Sequence, residues 1–128
     1  SDRLLVSSRD SFYSSKEYIP HQLDSLIGGE ERIDRVVAIG CTYLMSSCSE
    51  ATRAAGIPTM VSLNPIMVDG TGMCGACRVT VGGKTKFACV DGPDFDGHAI
   101  DWAELYARRK AYFDDEVRSY CEWEKGEF

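Results

Sequence analysis

Between Val68 and Gly92 the sequence reads VDGTGMCGACRVTVGGKTKFACVDG, with two residues between Cys74 and Cys77 and eleven between Cys77 and Cys89. Three thiols packed among glycines suit a chain that wraps a metal better than one that builds an apolar core. Structural zinc and iron–sulfur centres both call for four ligands, so a fourth donor is needed. Asp69 precedes Cys74 with four residues between them. A plant-type 2Fe–2S protein separates its first three cysteines by four and then two residues, so the carboxylate of Asp69 occupies the place of the first thiolate. Asp69, Cys74, Cys77 and Cys89 therefore form a candidate ligand set with one oxygen in place of one sulfur. Gly70, Gly72 and Gly75 give the backbone freedom to turn its N–H groups toward an anionic centre.

Other readings of the same residues stay open. Zinc held by Cys74, Cys77, Cys89 and His98 would also have four ligands. A redox Cys-x-x-Cys would open a helix, whereas Cys-Gly-Ala-Cys leads into a strand pattern. Asp-Gly is a common turn dipeptide, so Asp69 could simply shape a bend, with Asp91 or water completing the site. Cys48 and Cys121 read as free thiols, Cys48 on the apolar side of a helix. His21 reads as a surface or cap residue.

The net charge of −6 disfavours nucleic acid as a partner, since phosphate binding needs a basic surface. No run of about eighteen apolar residues is present, so no membrane span is expected. The opening residues SDRLLVSSRDSFYSS lack a basic-then-apolar leader pattern. Six cysteines in a chain without such a pattern point to a reducing, cytoplasmic setting and metal binding rather than disulfides.

The first half alternates apolar runs with helical periodicity. Strands are expected at Arg3–Ser7, Arg35–Gly40 and Thr59–Leu63, with helices over 17–29 and 43–56. In the second helix Leu44, Met45, Cys48 and Ala51 share a face. The pattern β-α-β-α-β is half of a doubly wound nucleotide domain, without the glycine-rich turn that opens such a domain. The chain therefore reads as the C-terminal part of a longer protein. Residues 77–90 read as a hairpin turning at Gly82-Gly83, and 91–100 as a loop. A last helix begins near Asp101, which forms an Asp-x-x-Glu capping box with Glu104. Trp102, Leu105, Tyr106, Phe113, Val117 and Tyr120 make its apolar stripe.

The stretch EATRAAGIPTMVSLNPIMVDGTGMCGACRVTVGGKTKFACVDGPDFDGH, the strand VVAIG and the acidic, aromatic helix at the end resemble a known family. It comprises the iron–sulfur flavoprotein subunits related to the dihydroorotate dehydrogenase electron-transfer subunit. An aspartate ahead of the three cysteines resembles its ferredoxin:NADP oxidoreductase branch, whereas the dihydroorotate branch carries a cysteine there. The resemblance implies an α/β protein made of an FAD-binding barrel, a ferredoxin-reductase-like NAD(P) domain and a 2Fe–2S domain. On that reading residues 1–64 are the C-terminal half of the NAD(P) domain, a parallel sheet with helices. Residues 65–98 are the 2Fe–2S hairpin domain, and 99–128 an amphipathic helix packing on the rest. Residues 40–45 are similar to the family's Gly-Pro-x-x-Met-Met segment on the nicotinamide side. Gly40 and Met45 carry over as cofactor-binding residues, while Cys41 and Leu44 depart from it. The resemblance further implies FAD and NAD(P) in the intact protein and no catalytic residue in this part. It implies contacts with the FAD-binding domain of the same protein and with a large flavin/iron–sulfur subunit. The truncated sheet is expected to expose a strand edge through which the chain self-associates.

Overall fold

The computed structural model describes residues 19–29 and 32–126. The expected strand Arg3–Ser7 and the first residues of the helix expected over 17–29 lie outside the described residues. The rest of that helix is α1, Ile19–Ile27.

Strand β1 (Val36–Ile39) runs into helix α2 (Thr42–Arg53) and returns as β2 (Thr59–Ser62), parallel to β1 with Val37 opposite Met60 and Ala38 opposite Val61. A parallel pair requires such a crossover, and α2 supplies it by packing on the sheet. The third strand of this sheet differs from the sequence reading. Residues 91–100 were expected to be a loop, yet β5 (Asp94–Asp96) pairs antiparallel with β2 and gives the order β1-β2-β5. Phe95 is buried between exposed Asp94 and Asp96, a two-residue alternation too short to stand out beside the glycines and proline around it. Thus β5, from the stretch 65–98, completes a sheet begun by residues 36–62. Among the described residues β1 is an outer strand, and Ile39 is 70% exposed.

The face that α2 buries is more polar than its hydropathy suggests. Thr42, Met45, Cys48, Ser49 and Thr52 are buried, whereas Leu44 and Ala51 are only partly covered. Ser49 Oγ donates to the Met45 carbonyl at 2.8 Å and Thr52 Oγ1 to the Cys48 carbonyl at 2.9 Å, so the hydroxyls enter the core satisfied. Small side chains there also let Gly97 approach Ser49 closely.

The hairpin forms as its turn chemistry predicts. Strands β3 (Arg78–Val81) and β4 (Lys84–Phe87) pair antiparallel, with Gly82 and Gly83 at φ of 58° and 74° between them. One core spans both units, joining Met45, Val61 and Leu63 to Cys77, Val79, Phe95, Ile100 and Leu105.

The single C-terminal helix expected from the sequence is divided. Helix α4 (Trp102–Arg109) ends at Lys110, and α5 (Phe113–Lys125) begins after Tyr112, whose ψ of 10° interrupts the strict helical path. Asp101 caps α4 by accepting from the Glu104 N–H at 2.9 Å. The other half of the expected box is replaced, because the Asp101 N–H donates to the Thr80 carbonyl at 2.9 Å. Helix α4 buries Leu105, but α5 buries none of its residues. The expectation that the whole helix packs on the rest therefore holds only for α4. Beyond Lys110 the chain has passed the end of the core, and Phe113, Val117, Tyr120 and Trp123 stay exposed.

Candidate metal centre

The segment from Asn64 to Cys77 folds without regular structure around the side chain of Asp69. Asp69 Oδ1 accepts from the Thr71 N–H at 3.0 Å, and Oδ2 accepts from the Thr71 hydroxyl at 3.2 Å and the Cys74 N–H at 3.1 Å. The Thr71 N–H is the largest influence on this exposed carboxyl; desolvation opposes it, and the Cys74 and Thr71 side chains add to it, so that the group lies below its ordinary range. Gly70, Gly72 and Gly75 lie at φ of 76°, 82° and 69°, which permits this reversal of the backbone. A Cβ on Gly72 would also press on Val90 at 3.0 Å. Cys74 is exposed and accepts from the Ala76 N–H at 3.5 Å.

Cys77 and Cys89 meet because the hairpin brings them together. Cys77 precedes β3 and Cys89 lies in α3 (Ala88–Asp91), which follows β4, and the pairing of Arg78 with Phe87 sets the two stems side by side. Their sulfurs are 3.3 Å apart and share a hydrogen bond. Burial would raise the Cys77 thiol, but hydrogen bonds from Cys89 and from the Ala88 N–H outweigh it and lower the group. Cys89 is raised, first by its bond to Cys77 and then by desolvation and the neighbouring charges of Cys77 and Asp69. All six cysteines are free thiols.

The four expected ligands thus stand as two neighbouring pairs, Asp69 with Cys74 and Cys77 with Cys89. Among the described residues no three His, Cys, Asp or Glu side chains gather as a single metal ion requires. Paired donors, with the Thr71, Cys74 and Ala76 N–H groups turned toward Asp69 and Cys74, fit an iron–sulfur centre better than a single metal ion. His98 does not join them. Its Nε2 is 3.0 Å from Thr52 Oγ1, at the other end of α2, which removes the imidazole from the zinc reading. Asp91 is also engaged elsewhere, accepting from the Phe87 N–H at 2.7 Å and facing Lys86 at 3.6 Å.

Residues 64–101 match the iron–sulfur cluster binding domain of dihydroorotate dehydrogenase B. The chain is 50% identical over 120 residues to a Thermotoga maritima protein named dihydroorotate dehydrogenase B (NAD(+)), electron transfer subunit homolog, covering 94% of this chain and 42% of that one. It is 48% identical over 124 residues to an uncharacterized protein in the adh 3′ region of Clostridium beijerinckii, covering 96% of this chain and 42% of that one. A solved NADH-dependent reduced ferredoxin-NADP oxidoreductase, described for flavin-based electron bifurcation, superposes with a TM-score of 0.79 at 46% identity, covering 95% of this chain and 44% of that one. The chain accordingly spans less than half the length of these relatives. Along most of its length it is similar to parts of these longer proteins, one of them named a dihydroorotate dehydrogenase B electron transfer subunit homolog.

Around the cluster-binding domain, Gly40 ends β1, its carbonyl accepts from Asn64 Nδ2 at 3.3 Å, and a Cβ there would meet Leu44 Cδ2 at 2.8 Å. Met45 is fully buried at 0% exposure, so its side chain belongs to the core and has no surface to offer a nucleotide. That departs from the role the resemblance gives it. Arg108 escaped the sequence reading: it donates to the Gly75 and Ala76 carbonyls at 3.4 and 3.3 Å and so grips the loop between Cys74 and Cys77. The adjacent arginines at the end of α4 were the one available signal.

Proposed function

We propose that Asp69, Cys74, Cys77 and Cys89 hold a 2Fe–2S cluster and that this chain is the C-terminal electron-transfer part of an iron–sulfur flavoprotein oxidoreductase. The observation that carries the reading is the coincidence of two donor pairs with the span of the cluster-binding domain. A bound 2Fe–2S cluster supplies one-electron transfer, the step that links a two-electron nicotinamide or flavin to a one-electron acceptor. The chain's own part is to deliver ligands and to shed protons. Hydrogen bonds lower the Cys77 thiol and the Asp69 carboxyl, which favours the anionic forms that bind a metal. The Thr71 and Cys74 N–H groups on Asp69 and the Arg108 clamp on Gly75 and Ala76 hold the loop that carries Asp69, Cys74 and Cys77.

The names of the relatives support further parts of the reading. FAD and NAD(P) would be bound by the intact protein in the cytoplasm, with Gly40 near the nicotinamide. Electrons would pass to a large flavin/iron–sulfur subunit. A dihydroorotate dehydrogenase assembly is the second reading, favoured by the Thermotoga relative's name; Asp69 favours the ferredoxin-NADP type. The edge of β1 that is outermost among the described residues would pair with another strand in the intact protein or with a second copy of this chain.

Anaerobic reconstitution with iron and sulfide tests the central claim. About two irons and two sulfides per chain, a brown colour and an electron-spin signal on reduction are expected. A colourless protein that binds zinc instead would overturn it.

A further inference from the structure

On the side of the cluster loop that faces α4, a cavity of about 250 Å³ is lined by Arg78 of β3 and by Arg108 and Arg109 of α4, with Pro65, Ile66 and Tyr112 as an apolar and aromatic wall. Two of the guanidinium groups are anchored. Arg108 donates to the Gly75 and Ala76 carbonyls, and Arg109 to Thr42 Oγ1. Arg78 is exposed and its side chain makes no hydrogen bond or ion pair among the described residues. The ion pairs there involve Arg32, Arg53, Lys86 and Arg118, so none of the cavity arginines faces a carboxylate. Carboxylates are abundant in a chain of net charge −6. Arginines that converge without one mark a place where an anion from outside supplies the missing charge.

We propose that this cavity binds the phosphate groups of a small molecule, with Arg78, Arg108 and Arg109 holding the oxygens and the Pro65–Tyr112 wall covering the organic part. A carboxylate would occupy one guanidinium fork and neutralise one charge. Three guanidiniums match a multiply charged oxyanion better. None of the four proposed ligands lines the cavity, although Ala76 and Arg78 flank Cys77 and Arg108 also grips the loop between Cys74 and Cys77.

Calorimetric titration of the chain with inorganic phosphate, inorganic pyrophosphate and ADP tests the proposal, alongside Arg78→Gln and Arg109→Gln. Arg78→Gln should leave the fold intact, since Arg78 anchors nothing. Pyrophosphate should bind, weaken with added salt, and lose at least about tenfold in affinity in Arg78→Gln. ADP binding more tightly than pyrophosphate would identify a nucleotide as the source, and equal affinity a free phosphate. No binding of any of the three at millimolar concentration would overturn the proposal. So would affinities unchanged in both variants, which would reduce the arginines to counter-charges for the loop.

Discussion

The sheet unit of residues 36–63 and the loop of residues 64–77 follow one another in the chain but satisfy their polar groups in opposite ways. In the sheet unit, buried hydroxyls find partners close by: Ser49 and Thr52 return to carbonyls of their own helix, and Thr52 meets Thr59 across the core. In the loop, N–H groups converge on the Asp69 carboxylate and on Cys74 Sγ, and two thiols are left to share one hydrogen bond. The first arrangement is complete without any ligand. The second sets a carboxylate and soft donors in two neighbouring pairs, an arrangement that a positive charge would complete.

Breaking the loop should therefore erase metal binding and spare the fold. Cys89→Ser is expected to lose nearly all iron while circular dichroism stays close to the parent. Full iron and sulfide content in that variant would remove Cys89 from the site. Asp69→Cys is a milder probe of the same pairs. It restores the plant-type spacing, so a 2Fe–2S cluster should be retained with a lower midpoint potential. Replacing thiolates by nitrogen donors raises such potentials by roughly several hundred millivolts, and a single carboxylate of equal charge should do less. Equal midpoints in a redox titration of the two proteins would take Asp69 out of the coordination sphere.

Breaking the sheet unit should do the reverse. A Cβ on Gly97 would collide with Ser49 Oγ and sit 3.0 Å from Val61 Cγ1, and both neighbours are fully buried. Gly97→Ala should cost about 1–3 kcal/mol in urea unfolding, with the iron content of the folded protein unchanged. Adding Ser49→Ala relieves the collision, so the double variant should be more stable than the sum of the two single changes predicts.

Those two regions also differ in how much of them could be read from residues alone. Ligand spacing and the Gly82-Gly83 turn are local signals, and the hairpin that brings Cys77 to Cys89 follows from them. The Asp101 cap is equally local. What escaped depends on contacts between distant segments. β5 is a strand only because β2 offers it an edge, and Ser49 and Thr52 are core residues only because α2 satisfies them and Gly97 leaves them room. The apolar stripe of α5 shows the same limit from the other side: periodicity marks a face but says nothing of what lies beneath it. Arg108 was invisible for the same reason, since its partners are carbonyls more than thirty positions earlier in the chain.

The smallest expected effect is a pH dependence confined to the sheet unit. Cys48 is buried at 5% exposure, and burial first, then the negative charge of Asp24, raises its thiol above the ordinary value. The folded state therefore keeps this proton at a pH where the unfolded chain has begun to lose it. The sign follows by linkage: the contribution is fully present below the unfolded thiol's pKa and is lost as pH rises through the folded one. Stability should thus decline on the alkaline side, and Cys48→Ala should flatten that decline after a loss of about 1 kcal/mol at neutral pH from the smaller side chain. Asp24→Asn should flatten it only in part, because it removes the lesser cause and leaves burial in place. Urea midpoints at neutral and alkaline pH for the three proteins provide the check. The other five cysteines are the same in all three proteins, so only the differences between variants report on Cys48. An identical alkaline slope in the parent and Cys48→Ala would mean that the decline arises in the loop, where Cys77 and Cys89 share their proton, and not in the sheet unit.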